Sequence, residues 1–316
     1  MFWIILIIIL FIVLSLAGGY YVFNSVFLYK DKSKTDPDPD FIDSEKDLMR
    51  PTSKRYIEER KPYMKEMEKL QFKELSIISF DNLTLYGYLL RGNPKEVVIC
   101  VHGYKSSMEE DFCDRLEIYR KRGSTVLLLN DRAHGKSEGD YLGFSEHDKR
   151  DVARWVQLIN NMYDDPKIYL HGVSMGGATV IHCADMGLKN VAGIIDDCGF
   201  NSIVGISKHL IKDIYHLPYF PFGDLAWFWS VIITGISFNT SLGEDCVRNT
   251  DIPILFIHGK EDHYVPCSMS ENMYEACASP KELLLVNGCG HAAAYLMAKD
   301  EYTAAVNRLM DGEFKK

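Results

Sequence analysis

His171-Gly172-Val173-Ser174-Met175-Gly176-Gly177 follows the apolar run Lys167-Ile168-Tyr169-Leu170 and precedes Ala178-Thr179-Val180-Ile181-His182-Cys183-Ala184. The first flank has the composition of a strand, the second that of a helix. Between them the pattern G-x-S-x-G marks a sharp turn. Such a turn lifts a serine hydroxyl above a sheet edge, and its glycines let the backbone pass without Cβ clashes. Ser174 is therefore a candidate nucleophile. The Met175 amide, at the positive start of the helix, is a candidate donor to an oxyanion. A Gly/Ser-rich turn before a helix is also common by chance, so the weight falls on the partners that the rest of the chain supplies.

Strands and helices alternate on both sides of this turn. Upstream, 75–80 and 83–90 have strand patterns around Asp81-Asn82, a turn pair in which Asn tolerates positive φ. The strand 97–101 leads to a helical stretch over 108–122 that Gly123 closes as a C-cap. The strand 125–129 leads to a second helix from about 146 to 162. Downstream, 191–195 enters a long insertion, and 254–257 and 283–286 supply the last strands. This alternation predicts an α/β fold, with a mostly parallel sheet covered by helices on both faces.

A sheet of that kind presents reactive groups at the carboxyl ends of its strands. His102-Gly103-Tyr104 ends one strand. That makes the Tyr104 amide the second oxyanion candidate, with Gly103 permitting close approach, while His102 reads as structural. The loop 258–266 contains Asp262, with Glu261 as a rival acid, and Asn287-Gly288-Cys289-Gly290-His291 follows the last strand. His291 is expected to open the final helix, and His263 is its weaker competitor. Serine, then acid, then histidine is the order in which a nucleophile elbow is completed. His291 would take the proton from Ser174, and Asp262 would fix the imidazole tautomer.

On these residues the chain resembles the α/β-hydrolase superfamily over about Phe72 to Met310. It looks most like bacterial membrane-anchored serine hydrolases carrying HGY, DxRxHGxS, GxSMGG, HGxxDxxVP and GH blocks. Here the blocks are His102-Gly103-Tyr104, Asp131-Arg132-Ala133-His134-Gly135-Lys136-Ser137, Gly172 to Gly177, His258 to Pro266, and Gly290-His291. The resemblance implies the α/β-hydrolase fold with a helical cap insertion, a Ser-His-Asp triad and an acyl-enzyme. It also implies that Asp131, Arg132 and His134 are scaffold. Ala133, where many relatives have glycine, and Asn82 depart from the pattern at loops.

The regular alternation stops between about 198 and 250, as a cap over the site would require. Its Tyr215, Tyr219, Phe220, Phe222, Trp227, Phe228, Trp229, Ile232, Ile233 and Phe238 either line an acyl pocket or pack the cap against the sheet. At the other end, residues 1–17 are almost wholly apolar and no charged side chain precedes Lys30. Residues 1–29 therefore read as a single-pass transmembrane anchor, continued by Tyr20-Tyr21-Val22-Phe23. The competing reading is a secretory signal with Ser15-Leu16-Ala17 as its cleavage site. Lys30, Lys32 and Lys34 place the catalytic part on the cytoplasmic side. Residues 30–70 read as a charged linker, turn-prone at Asp36-Pro37-Asp38-Pro39, followed by a solvated helix with Pro62 as a kink or boundary. Residues 71–316 form the hydrolase domain.

The net charge of -9 lacks the basic clusters that nucleic acid demands, so that partner is excluded. Eight cysteines scattered through 316 residues, none in a CxxC pair, point to reduced thiols and give zinc little support. The expected function is hydrolysis of carboxylic esters, on a small acyl substrate that includes lipid-like ones, with no metal or organic cofactor. Peptidase or thioesterase action by the same triad, and a non-catalytic membrane-tethered binding module, are the alternatives.

Overall fold

A computed structural model describes residues 1–30, 54–214, 216, 218–237 and 242–315. Tyr215 and Phe238 of the insertion, Lys32, Lys34 and the Asp36 to Pro39 turn lie outside the described residues. Eight strands form one sheet: β1 (Lys73–Ile78), β2 (Thr84–Leu90), β3 (Asn93–Val101), β4 (Ser124–Leu129), β5 (Lys167–Val173), β6 (Val191–Asp197), β7 (Ile254–Gly259) and β8 (Lys281–Val286). Their order is β1-β2-β4-β3-β5-β6-β7-β8. Only β2 runs against its neighbours, and every pairing from β4 to β8 is parallel. The order reverses between β3 and β5, so their carboxyl ends flank a crevice where ligands are received.

Among the described residues, twelve helices join and cover these strands: α1 (Phe2–Phe27), α2 (Lys54–Met67), α3 (Met108–Phe112), α4 (Leu116–Arg122), α5 (Asp148–Met162), α6 (Met175–Ile181), α7 (Ile203–His209), α8 (Phe222–Thr234), α9 (Gly243–Arg248), α10 (Ser268–Ala276), α11 (Ala294–Met297) and α12 (Lys299–Met310). A short π-helical turn, Leu210–Ile214, extends α7. Val97 to Val101 of β3 and all of β4 are buried because apolar side chains meet helices on both faces of the sheet. One face packs Tyr56, Phe112, Leu116, Tyr119, Tyr302 and Val306. The other packs Val152, Trp155, Val180, Val247 and Met273.

Three local expectations are corrected. The helix expected over 108–122 is broken into α3 and α4 at Cys113 to Arg115. Arg115 is 1% exposed and points into the sheet to meet Asp197, so the break brings a charge to a buried partner. Gly123 does close α4, at φ 74°. The helix before the domain is exposed along most of its length but also docks on the core. α2 buries Tyr56 and Met67 against the core, sets Arg60 3.4 Å from the buried Asp114, and carries Pro62 in its interior. Lastly, α9 packs its Cys246 and Val247 into the α5–α6 side of the core, so the cap proper ends before it.

The cap and α1 share a third apolar cluster. Phe23 and Phe27 of α1, Ala226 and Trp227 of α8, and Met175, Phe200 and Val265 beside the serine turn all belong to it. The last carbonyls of α1, which have no partner inside the helix, are met by the body of the domain. Phe27 O accepts from Leu142 N at 2.9 Å. Val26 O accepts from the Tyr104 hydroxyl at 2.8 Å, and Ser25 O from Lys105 Nζ at 3.1 Å.

Candidate active site

At the carboxyl end of β5 the chain turns into α6 through Ser174, held at φ 55° and ψ -117°. An L-residue adopts that conformation only when its surroundings over-determine it. Here they do so sterically: a Cβ on Gly172 would lie 2.0 Å from the Gly176 carbonyl oxygen, and one on Gly176 would lie 2.0 Å from that of Val101. Only glycine lets α6 start this close to β3 and β5. Ser174 N donates to Asp197 O at the end of β6 at 2.8 Å, which ties the turn to the neighbouring strand.

Ser174, Asp262 and His291, though far apart in sequence, meet at three strand ends. The Ser174 hydroxyl lies 2.9 Å from His291 Nε2, and His291 Nδ1 lies 2.7 Å from Asp262 Oδ2. With the carboxylate accepting, Nδ1 carries the proton and Nε2 is left as the acceptor for the serine hydroxyl. The second oxygen, Asp262 Oδ1, accepts from Tyr264 N at 2.9 Å and Val265 N at 2.8 Å. Burial pushes the Asp262 carboxyl up, but His291 and His258 outweigh it and hold it below the ordinary carboxylate range. The group is thus an anion at neutral pH, aimed at the imidazole.

The rivals are not in the hydrogen-bonded chain to Ser174. Glu261 accepts from Cys289 N at 3.1 Å, and His263 is exposed. His291 does not open a helix as expected. It sits in the turn before α11, because Ala292 takes φ 54° and interrupts helical backbone. Tyr104 lies just past the end of β3, in a loop whose Gly103 would put a Cβ 3.2 Å from that of Ser174, and Met175 is the first residue of α6. Both oxyanion candidates therefore flank the serine.

Family comparison bears on the fold and the enzyme class. Residues 92–217 match the family model for serine aminopeptidase, S33, and residues 224–292 match that for serine hydrolase (FSH1). The first match contains Ser174 and the second contains Asp262 and His291. Among curated relatives, the uncharacterized protein YqkD of Bacillus subtilis (strain 168) is 26% identical over 253 residues, 76% of this chain and 81% of that protein. The uncharacterized protein YfhR of Escherichia coli (strain K12) is 25% identical over 204 residues, 64% of this chain and 65% of that protein. The Pyrococcus furiosus esterase Pf2001 has a similar fold, with TM-score 0.65 and 22% identity over 78% of this chain and 93% of that one. Est1E of Butyrivibrio proteoclasticus, solved with ferulic acid bound, gives TM-score 0.57 and 20% identity over 75% of this chain and 98% of that one. The chain has the α/β-hydrolase fold. It is a serine hydrolase, the class that both family models name.

Several residues support the hydrolase site without a role read from the sequence; of these His258 and Tyr264 lie inside the 258–266 block, and the others lie outside every block. Arg115 donates through Nε and Nη2 to Asp197 Oδ2 at 2.9 and 2.8 Å, and Nη2 also reaches the Ala292 carbonyl at 2.8 Å. One buried guanidinium thus holds both the strand end that binds Ser174 N and the turn that carries His291. Tyr302 donates to the same Asp197 oxygen at 2.9 Å. His258, fully buried, places Nε2 2.8 Å from the Val265 carbonyl and 3.3 Å from Asp262 Oδ2, which braces the acid loop. Cys198 brings its sulfur within 4.8 Å of the reactive atoms of Asp262 and His291. Burial pushes its thiol well up, so it stays neutral beside the carboxylate. Tyr264 lays its ring 5.1 Å from the His291 ring.

The scaffold residues of the hydrolase are equally well placed. His102 is buried, with Nδ1 3.0 Å from the Gly103 carbonyl and Nε2 accepting from Asp131 N at 3.3 Å. Arg132 forms a two-pronged pair with Asp151, at 2.7 and 3.0 Å, and reaches Asp81 in the β1–β2 turn. Asn82 and Ala133 both take positive φ, 68° and 65°, the backbone region in which glycine is unstrained. All eight cysteines are free and seven are buried. The cap aromatics divide. Trp227 packs inward, whereas Phe220, Phe222 and Phe228 are 76%, 41% and 45% exposed and do not line the site.

Proposed function

We propose that this serine hydrolase cleaves carboxylic esters of apolar acyl chains through an acyl-enzyme on Ser174. The observation that carries the reading is the hydrogen-bonded chain from Ser174 Oγ through His291 to Asp262. The Ser174 oxygen attacks the ester carbonyl as His291 Nε2 takes its proton. Collapse of the tetrahedral adduct expels the alcohol, which leaves with that proton. Water then attacks the acyl-serine, again giving a proton to His291, and the carboxylic acid and free serine are regenerated. The Met175 and Tyr104 amides are the donors assigned to the oxyanion of both adducts, where such donors act most strongly. Asp262 stabilises the transient imidazolium without taking its proton.

The apolar acyl preference is supported by the apolar cluster to which Met175 belongs, with Phe200, Ile203, Trp227 and Val265. Two esterases among the similar folds accord with ester chemistry. The thiohydrolase aneE of Aspergillus aculeatus, 29% identical over 141 residues, brings thioesters into the comparison, and the S33 family name brings peptides. A chain-length series of acyl esters, matched thioesters and amino-acyl amides, assayed on one preparation, tests the proposal. Turnover rising with acyl length and greatest for oxygen esters supports it; preference for amides or thioesters overturns the ester assignment.

We further place α1 as a membrane span, with the catalytic domain on the cytoplasmic side. The helix has 26 residues and a mean hydropathy of 2.8 over its most apolar window. A signal sequence has the same local composition. Protease protection of intact, right-side-out vesicles tests the topology: an uncut domain is expected, and cleavage by external protease would reverse it.

A further inference from the structure

We infer that the outward face of α8, made by Phe228, Val231 and Ile232, is immersed in the bilayer that α1 spans. This rests on the membrane-span reading of α1 and adds a second contact that the span alone does not require. A hydrocarbon core of about 30 Å takes about 20 helical residues at about 1.5 Å each. Met1 to Leu14 stand clear of the domain, every one exposed. The same uncharged apolar helix continues unbroken through the turns up to Tyr20 and Tyr21, which belong to the span. These aromatic residues are 43% and 74% exposed, as residues of an interfacial belt would be.

Those same turns are where α8 packs. A Cβ on Gly18 would lie 2.6 Å from the Phe222 ring, and one on Gly19 would lie 2.3 Å from Leu225 Cβ, so the two helices touch backbone to side chain. Trp229 Nε1 donates to the Leu16 carbonyl at 3.0 Å, and its ring meets that of Tyr20 at 5.3 Å. Once α1 crosses the membrane, α8 is carried to the depth of the last turns of the span.

On the side of α8 away from the core, Phe228, Val231 and Ile232 are 45%, 42% and 58% exposed, at spacing i, i+3, i+4. Facing water they would form a contiguous apolar patch, whereas Ile57, Ile78 and Met162 are exposed singly on separate elements. The only charge on α8, Asp224, is in its first turn, which sets that end toward the headgroups. The inner face of the same helix reaches the serine turn, since Ala226 and Trp227 share a cluster with Met175. The roof of the site is therefore part of the membrane contact, and the hydrolase takes its acyl substrate at the lipid surface.

The test uses the full chain in nanodiscs of phosphatidylcholine and phosphatidylglycerol doped with a phospholipid bearing a diazirine in its acyl chain. After irradiation, adducts are mapped by mass spectrometry, with exposed Ile57 on α2 as the internal reference. The expected result is labelling of α1 and of the 228–232 segment, each about tenfold above Ile57, as for a helix lying in the interface. Labelling of α1 with 228–232 no higher than Ile57 overturns the inference and leaves the span intact. Labelling of neither overturns the span reading and the inference together. Phe228→Asp combined with Ile232→Asp is expected to remove the α8 adducts, keep those on α1, and leave hydrolysis of a water-soluble short ester within about twofold, because the added charges avoid the bilayer. Unchanged α8 adducts in that variant would also overturn it.

Discussion

A methyl group at Gly176 has nowhere to go: its position is 2.0 Å from the Val101 carbonyl oxygen and 2.7 Å from that of His102. Gly176→Ala should therefore displace α6 from β3, costing about 3 kcal/mol or more through overpacking and backbone shift. Urea unfolding of the variant should show the lowered midpoint, accompanied by lost hydrolase activity. This part of the site is legible in the sequence because its cause is local: two glycines and a serine fix one turn. Arg115 is the opposite case. Its partner Asp197 is 82 residues away, and nothing in Asp114-Arg115-Leu116 announces that the guanidinium is buried. Arg115→Met should cost about 3–5 kcal/mol by leaving Asp197 as an unpaired buried carboxylate. Arg115→Lys should recover part of that stability while kcat falls at unchanged KM, because an ammonium cannot hold Asp197 and the Ala292 carbonyl as a fork does. Equal kcat in Arg115→Lys and wild type would remove Arg115 from the positioning of His291.

At the scale of elements, α1 is more than a tether. Its Phe23 and Phe27 fill the cap cluster, and its final carbonyls are bound by Tyr104 and Lys105 in the loop beside Ser174. Gly19→Leu would place a branched side chain where Leu225 already lies, with the first added carbon 2.3 Å from Leu225 Cβ. The expected outcome is separation of α1 from α8, read as faster hydrogen exchange over 222–234 while β3 to β6 remain protected. Unchanged exchange over α8 would show that the cap is held without α1. Strand and helix patterns made the alternation readable, and the carboxyl-end rule pointed to the three side chains that meet at 2.7 and 2.9 Å. The docking of α2, the break between α3 and α4 and the pairing of α1 with α8 were not readable. Each depends on a distant partner surface rather than on the periodicity of its own segment.

The whole molecule encloses a polar seam under the site, and its protonation bears on stability. His171 is fully buried, with Nδ1 2.6 Å from the Tyr119 hydroxyl and Nε2 3.0 Å from that of Tyr302. Because Tyr302 donates to Asp197, its oxygen accepts from Nε2–H, and Nδ1 accepts from Tyr119, so the ring is neutral. Burial lowers its pKa from 6.5 to about 3, despite the pull of Asp197 in the other direction. Between those values the unfolded chain holds a proton that the native chain does not, so this stability is full above about pH 6.5 and is lost progressively toward about pH 3. His171→Gln should be less stable near neutrality, by about 1–3 kcal/mol for the lost hydrogen bonds. It should also show a smaller drop in urea midpoint than wild type between about pH 7 and pH 5, because the titrating group is gone. Parallel drops would assign the acid sensitivity elsewhere.

All of these features serve one chemical claim, that Ser174 is a nucleophile activated by His291. Fluorophosphonate labelling of the full-length protein, followed by peptide mass mapping, tests it most directly. Wild type should carry one adduct, on Ser174, and Ser174→Ala should carry none while keeping the wild-type unfolding midpoint. Equal labelling of wild type and Ser174→Ala, or an adduct on any other residue of wild type, would contradict the account.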